Sequence, residues 1–327
     1  MAVMTTRRRS RSRIPVLAAC AATALGMTAL AGCGTGDDGS GDGRLDVVAS
    51  FYPLEFLAER IGGEHVGVTG LTEPGTEPHD LDISPRQTVE LSEAGLVLYL
   101  EGFQPAVDEA VEQSGAEHVA EAGSFTTLRE DGGHEEEHAE EGEAGHEGHD
   151  HDHGGTDPHV WLDPVRYAEI AEGVGAALAE ADPDNAAAYE RNAQTLAGEL
   201  TALDQEFAEG LAATETETFI TTHAAFGYLA ERYGLHEEAI TGLDPESEPS
   251  AERMRELQDV AREDRVTTVF FETLVSDETA RTLAGDLGLR TAVLDPVEGI
   301  TEDSPGADYF EVMRANLAAL REALGAE

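Results

Sequence analysis

Lysine is absent from this sequence, and basic residues of any kind are few. The 327 residues include 20 basic side chains, all arginine, against 67 acidic ones, for a formal net charge of −47. Such a chain repels nucleic acid and other polyanions, so we expect no nucleic-acid partner. The charge is compatible with concentrating cations near the surface, and equally with an acidic surface that is simply well solvated.

Cysteine is nearly absent too. Cys20 lies in an N-terminal stretch that we expect to be removed, which leaves Cys33 as the one cysteine of the mature chain. An intrachain disulfide is then impossible, although exported proteins commonly use them. The fold must therefore depend on core burial or on a bound ligand.

Residues 1–32 have the pattern of a secretory signal peptide. Five arginines between positions 7 and 13 precede an uncharged apolar run over 14–31, which ends in LAGC. This end resembles the bacterial lipobox, which implies that Cys33 is lipidated and that 33–43 is a flexible tether. The alternative, a transmembrane anchor, is disfavoured because the apolar run is short for a span. Without the signal peptide, 15 arginines face 67 acidic residues, a net charge of −52.

Short apolar runs alternate with helical patterns along the rest of the chain. This alternation predicts an α/β protein of two lobes, each with a mostly parallel sheet flanked by helices, joined by one long spanning helix. We place the N-terminal lobe at 44–181, the spanning helix at 182–213 and the C-terminal lobe at 214–327. The predicted strands are 45–51, 65–70, 95–102, 218–223, 266–272 and 290–295.

Between residues 129 and 155 the alternation stops. This acidic, glycine-rich segment cannot bury enough apolar surface to offset its ordering entropy, so we predict a disordered loop. We expect its histidines to bind metal weakly and to gather it for a tighter site, the alternative being an acidic spacer. These histidines are His134, His138, His146, His149, His151 and His153.

Four other polar residues are placed as if to share one site. His79 and His159 each precede a helix capped by Ser84-Pro85 or Asp163-Pro164, and His223 and Asp295 each end a predicted strand. Ligands of open α/β sheets bind at the carboxyl ends of strands. Three imidazoles and a carboxylate suit zinc, so this joint placement predicts a metal site in the cleft between lobes. Glu272, at another strand end, is a further candidate, either supporting a ligand or replacing one.

Several stretches resemble the zinc branch of the metal-uptake solute-binding proteins that serve ABC transporters. They are ASFYPLEFLAERIGG, EPHDLDISPRQTVELSEAGLVLYLEG, DPHVWLDP, TTHAAFGYLAERYGL and VLDP, and they extend over essentially the whole mature chain. The resemblance implies ligands at His79, His159, His223 and Asp295, with histidine at 223 favouring zinc over manganese. It also implies a monomer on the outer face of the cytoplasmic membrane that delivers Zn²⁺ to an ABC permease and its ATPase.

Other functions remain open at this point. A manganese- or iron-binding member of the same family is the nearest alternative, and a surface adhesin is another. A zinc hydrolase is disfavoured because a fourth protein ligand would close the position that catalytic zinc keeps for water, and no H-E-x-x-H motif occurs. No P-loop pattern is present either, so we expect neither an enzyme nor a nucleotide-binding protein.

Overall fold

The computed structural model describes residues 43–130 and 156–326. The predicted signal peptide, Cys33, the tether up to residue 42 and the six loop histidines lie outside these ranges. Within them, no helix is both long enough and apolar enough to cross a membrane.

Two four-stranded parallel sheets form the framework, and they have the same strand order. In the first sheet the order is β2-β1-β3-β4, and in the second it is β6-β5-β7-β8. In each sheet the second strand lies on one side of the first strand and the third strand on the other, so the strand order reverses there. Open α/β sheets bind ligands at such a reversal. The predicted fold class is confirmed. The strands are β1 Leu45–Ala49, β2 Val66–Gly70, β3 Leu96–Tyr99, β4 Val119–Glu121, β5 Thr218–Thr221, β6 His236–Ala239, β7 Thr268–Phe271 and β8 Arg290–Val293.

Helices connect these strands and cover both sheets. Those in the described part of the chain are α1 Tyr52–Gly62, α2 Pro85–Glu93, α3 Pro105–Ser114, α4 Pro164–Ala181, α5 Ala186–Gly210, α6 Gly227–Tyr233, α7 Ala251–Glu263, α8 Glu278–Leu287 and α9 Tyr309–Leu324.

The two predicted helix caps next to the histidines are confirmed. The Ser84 side chain accepts the backbone N–H of Gln87, whose side chain bonds back to Ser84 in a capping box. The Asp163 carboxylate accepts the N–H groups of Val165 and Arg166 at the start of α4. These caps fix the helix starts, and hence where the preceding loops must end.

The long helix α5 begins later than the 182–213 pattern suggests. Asp182 does not cap it but accepts hydrogen bonds from Asn185 and from the Tyr189 hydroxyl in the turn ahead. The 25 residues of α5 extend about 37 Å at 1.5 Å per residue. Its buried face packs against α1, α4 and α9. The last helix, α9, is capped by Asp308, whose side chain accepts the Glu311 N–H.

One apolar core runs continuously through both sheets. It contains Val47 and Leu98 from the first sheet, Phe219 and Phe270 from the second, and Phe207 from α5. Smaller clusters lie on the outer faces of each sheet. The α5 helix therefore serves one core shared by both sheets.

Replacing Leu200 by alanine tests this shared core. Leu200 lies on α5 and is fully buried within the common cluster. The free energy of unfolding should fall by about 2–5 kcal/mol, because a buried leucine lost from a packed core leaves a cavity. Chemical denaturation measures this. The exposed Gln194→Ala on the same helix is the control, and equal stabilities of the two variants would contradict the shared core.

Candidate metal centre

Four side chains from distant parts of the chain converge on one point. His79, His159, His223 and Glu298 each offer one donor atom, and all four atoms lie within 4.8 Å of one another. His79 follows β2, His159 precedes α4, His223 follows β5 and Glu298 follows β8. Both sheets therefore contribute, and the three histidines predicted from sequence are brought together.

Four of the six distances between these donors match the edges of a tetrahedron. Glu298 Oε1 lies 3.5, 3.4 and 3.5 Å from Nε2 of His79, His159 and His223. The Nε2 atoms of His159 and His223 are 3.4 Å apart. Four ligands around zinc at about 2.0–2.1 Å are separated by about 3.3–3.4 Å. The arrangement of these donors is therefore close to the one that a tetrahedral metal ion requires.

His159 is held from its outer side by Asp157. The Asp157 carboxylate oxygen Oδ1 lies 2.9 Å from His159 Nδ1 and also accepts the His159 backbone N–H at 3.0 Å. Because a carboxylate only accepts, the neutral ring carries its hydrogen on Nδ1 and keeps a lone pair on Nε2. The Asp157 Oδ2 atom is in turn bound by Arg129 at 3.1 Å. The ring is thus fixed in the tautomer that a metal requires.

Glu272 holds His223 in the same way. Its Oε1 atom lies 2.8 Å from His223 Nδ1 and also accepts the Thr222 hydroxyl. The sequence leaves two roles open for Glu272, supporting a ligand or replacing one. In the structure it contacts His223 and is not one of the four donors. His223 and Glu272 are both fully buried.

His79 lies on an irregular segment, between β2 and α2, that is anchored by Gln104. The buried Gln104 amide donates to Thr72 Oγ1 and to the carbonyl of Pro78, both at 3.0 Å. The Phe103 ring packs 4.5 Å from the His79 ring. The His79 side chain is 12% exposed, whereas the other three donors are 0–1% exposed. Access to the site from solvent is therefore on the His79 side.

Aromatic side chains close the first-sheet side of the site. Phe51 and Phe103 pack with ring centroids 4.4 Å apart, and Trp161 lies 5.0 Å from Phe51 and 5.4 Å from His159. All three side chains are buried and belong to the apolar core. They exclude water from the imidazoles, which strengthens electrostatic interactions there.

Asp295, predicted from the sequence as the fourth ligand, is not in this group. It is buried, but Oδ1 accepts the Val297 N–H at 2.8 Å and Oδ2 accepts the Thr273 hydroxyl at 2.8 Å. Glu298, three residues further on, takes the fourth position. No sequence pattern singles out Glu298, because it is one of 67 acidic residues and follows no strand directly. The VLDPVEG stretch holds both carboxylates, so the correction is a shift within one short segment.

Two donor atoms of the group are buried without a hydrogen-bond partner among the described residues. They are His79 Nε2 and Glu298 Oε1. A buried polar atom left unpaired is costly, so such atoms commonly mark a missing ion or water. Both point to the centre of the same tetrahedron, as expected of ligands to a cation.

The electrostatics of the group favour a cation at its centre. Burial would raise the pKa of Glu298, but the imidazoles of His159, His223 and His79, whose Nε2 atoms lie 3.4–3.5 Å from its Oε1, hold the pKa well below its usual range. Burial would lower the pKa of His223, but Glu272 and Glu298 raise it well above the usual value, and Asp157 and Glu298 likewise raise the pKa of His159. The surrounding carboxylates thus stabilise positive charge, whether protons or a metal ion.

Two parallel-sheet halves with buried donors at facing strand ends define a solute-binding protein with a metal-binding cleft. A profile described as "ZnuA: Zinc-uptake complex component A periplasmic" matches residues 47–323. The chain belongs to this family, which confirms the resemblance noted in the sequence.

Proteins similar in sequence include two zinc proteins of Gram-positive bacteria. Zinc-binding lipoprotein AdcA of Streptococcus pneumoniae is 36% identical over 287 residues, 86% of this chain and 56% of that protein. The chain therefore spans little more than half the length of such relatives. High-affinity zinc uptake system protein ZnuA of Bacillus subtilis is 35% identical over 320 residues, covering 94% of this chain and 96% of that one.

Solved structures with the same fold include zinc-bound and adhesive proteins. Zn(II)-bound AdcA from S. pneumoniae superposes with a TM-score of 0.71 at 32% identity, covering 87% of this chain and 59% of that one. The laminin-binding protein Lmb of Streptococcus agalactiae, described as having adhesin and metal-transporting activity, gives 0.74 at 28% identity. It covers 86% of this chain and 99% of that one.

Proposed function

We propose that this protein captures Zn²⁺ in the four-donor site and delivers it to a membrane permease. The observation that supports this most directly is the tetrahedron formed by three imidazole nitrogens and one carboxylate oxygen. The ligand set is His79, His159, His223 and Glu298, with Glu298 in place of Asp295. Zinc is here the transported cargo, and the histidines bind it in their neutral form.

Zinc is favoured over manganese by the number and type of donors. Manganese prefers oxygen ligands and six-fold coordination, whereas zinc readily accepts nitrogen ligands in tetrahedral geometry. The group has three nitrogen donors, and the imidazoles are fixed by Asp157 and Glu272. Because these imidazoles are held in place, the site cannot easily expand to the six ligands that manganese prefers.

Binding, and not catalysis, is the activity that we propose. A catalytic zinc usually has three protein ligands and one open position for water. The four protein donors here complete a tetrahedron, so no position is left for a water nucleophile. We therefore propose that the protein is not an enzyme.

The cellular setting follows from the sequence and the family. We propose that Cys33 becomes the lipidated N-terminus, so that the protein is held at the outer face of the cytoplasmic membrane. It would act there as a monomer, with an ABC permease and its ATPase as partners. An adhesive role, as described for Lmb of S. agalactiae, would need a separate surface and is not favoured by any feature of this site.

His223→Ala tests the site directly. The parent protein should bind one tight Zn²⁺, and the variant should lose more than the roughly 10–100-fold in affinity that outer partners of ligands typically contribute. Chelator competition, with metal content by mass spectrometry, measures both. Zinc should also raise the melting temperature of the parent by mass action. His236→Ala, which removes an exposed histidine, is the control, and equal affinities for both variants would exclude the proposed site.

Zinc affinity should fall as the pH is lowered. The pKa values of His159 and His223 are raised, so protons compete with zinc already above the ordinary histidine value of about 6.5. Affinity is therefore full at high pH and is lost by at least about tenfold per pH unit below this range, because at least one proton must be displaced. Competition titrations between pH 8 and pH 5 measure the slope. A flat profile would contradict a histidine site.

The histidines of the segment 131–155 form, by our proposal, an auxiliary set of weak zinc ligands that supplies the tight site. Glu130 and Thr156 pair in an antiparallel bridge, so the segment can be replaced by a two-residue Asn-Gly turn. This deletion should remove weak binding and leave the tight site intact, as isothermal titration would show. Loss of the tight site on deletion would contradict this division.

A further inference from the structure

The segment that contains Glu298 has no regular secondary structure, although it is buried. Residues 294–299 follow β8 outside any helix or strand, and all six are buried. The N–H of Leu294, the first of them, still bonds to the Phe271 carbonyl of β7 at 3.0 Å. A buried irregular segment needs other partners for its backbone groups. What holds this segment in place therefore also determines where the Glu298 carboxylate points.

Two further elements supply those partners. The Asn316 amide of α9 pairs with both backbone groups of Asp295, accepting its N–H at 2.9 Å and donating to its carbonyl at 2.7 Å. The Trp161 indole donates to the Pro296 carbonyl at 2.7 Å. Trp161 lies in the 3-10 turn Val160–Leu162, next to His159. The segment is thus tied to α9 and to the loop of another ligand.

The Asp295 side chain completes this arrangement from within. Its Oδ1 atom accepts the Val297 N–H at 2.8 Å, and its Oδ2 atom accepts the Thr273 hydroxyl at 2.8 Å. The carboxylate therefore bridges the chain after β7 to the backbone next to Glu298. Both oxygens are already engaged, and neither belongs to the four-donor group.

Val297 shows that this conformation is imposed by its surroundings. Its φ is +59°, in the left-handed region that β-branched residues avoid. Such a conformation persists only where neighbouring contacts determine it, and it is concentrated at functional sites. The next residue is Glu298, so the forced turn directly sets the direction of that side chain.

We infer that Asp295 is a positioning residue, which holds the strained turn at Val297 so that Glu298 reaches the three histidines. This inference rests on the proposed zinc site with Glu298 as a ligand. It assigns Asp295 a role through hydrogen bonding, not through its charge or through contact with the metal. What matters in this role is that the carboxylate has two oxygens that accept hydrogen bonds.

Substitutions at Asp295 separate this role from that of a ligand. Asp295→Asn keeps an oxygen acceptor for the Val297 N–H, and its NH₂ can donate to the Thr273 hydroxyl. Zinc affinity should then stay within about threefold of the parent. Asp295→Ala removes both contacts and should lower affinity about 10–100-fold, the range typical of outer partners of metal ligands. Chelator competition measures both, with the exposed Asp303→Ala as a matched control.

A double-mutant cycle distinguishes positioning from a general loss of structure. In a Glu298→Gln background, Asp295→Ala should cost less than about threefold, because the residue that it positions is already altered. Equal losses in both backgrounds would overturn the inference. So would an Asp295→Asn variant as weak as Asp295→Ala, which would make Asp295 a ligand, or an Asp295→Ala variant that binds like the parent.

The proposed zinc site itself is judged separately, by the parent protein and the His223→Ala variant. If Asp295→Ala does not fold, as judged by circular dichroism, Thr273→Val takes its place. This variant removes only the donor to Asp295 Oδ2 and should weaken zinc binding in the parent background but not in the Glu298→Gln background. Unchanged affinity in the parent background, or equal weakening in both, would overturn the inference.

Discussion

The fold depends at its centre on one buried carboxylate oxygen that is shared by three imidazole rings. Glu298 Oε1 lies within 3.5 Å of all three histidine nitrogens, in a place from which water is largely excluded. Such a group is tolerated inside a protein only if positive charge compensates it. The raised pKa values of His159 and His223 favour protons in that role, and in the proposed function a zinc ion replaces them. Protons and a metal ion therefore compete for the site, and the contacts around the four donors determine which is favoured.

The contacts around the four donors come mostly from carboxylates that accept hydrogen bonds. Asp157 holds His159, Glu272 holds His223, and Asp295 holds the backbone beside Glu298. Each of these carboxylates is itself bound by another group, which for Asp157 is Arg129. The arrangement fixes ring tautomers and directions before any metal binds, so that little conformational entropy is lost on binding. His79 is the exception, because its segment is held mainly by Gln104 and it remains partly exposed.

The sequence predicts the fold class and the three histidines that the structure brings together, because each depends on short-range patterns. Histidines beside capped helices or after apolar strands are unusual enough to be noticed, and Ser84 and Asp163 cap their helices as expected. The fourth donor could not be chosen in this way. Asp295 is nearer the strand end, and the reach of Glu298 depends on a backbone turn that no sequence pattern specifies. The strands β4 and β6 were also missed, because they are short, polar edge strands whose pairing is decided by their neighbours.

The continuous core constrains how the protein can move. Residues of both sheets and of α5 pack into one apolar cluster, so separating the sheets would expose hydrophobic surface along the whole length of that helix. Wide hinge opening is therefore unfavourable, and in the proposed function zinc would enter and leave through local displacement of the irregular segments. Of the four donors, only the imidazole on the β2–α2 connection reaches solvent. An ion held by these four donors would enter and leave on the side of this one imidazole, while the other three donors stay fixed in the core.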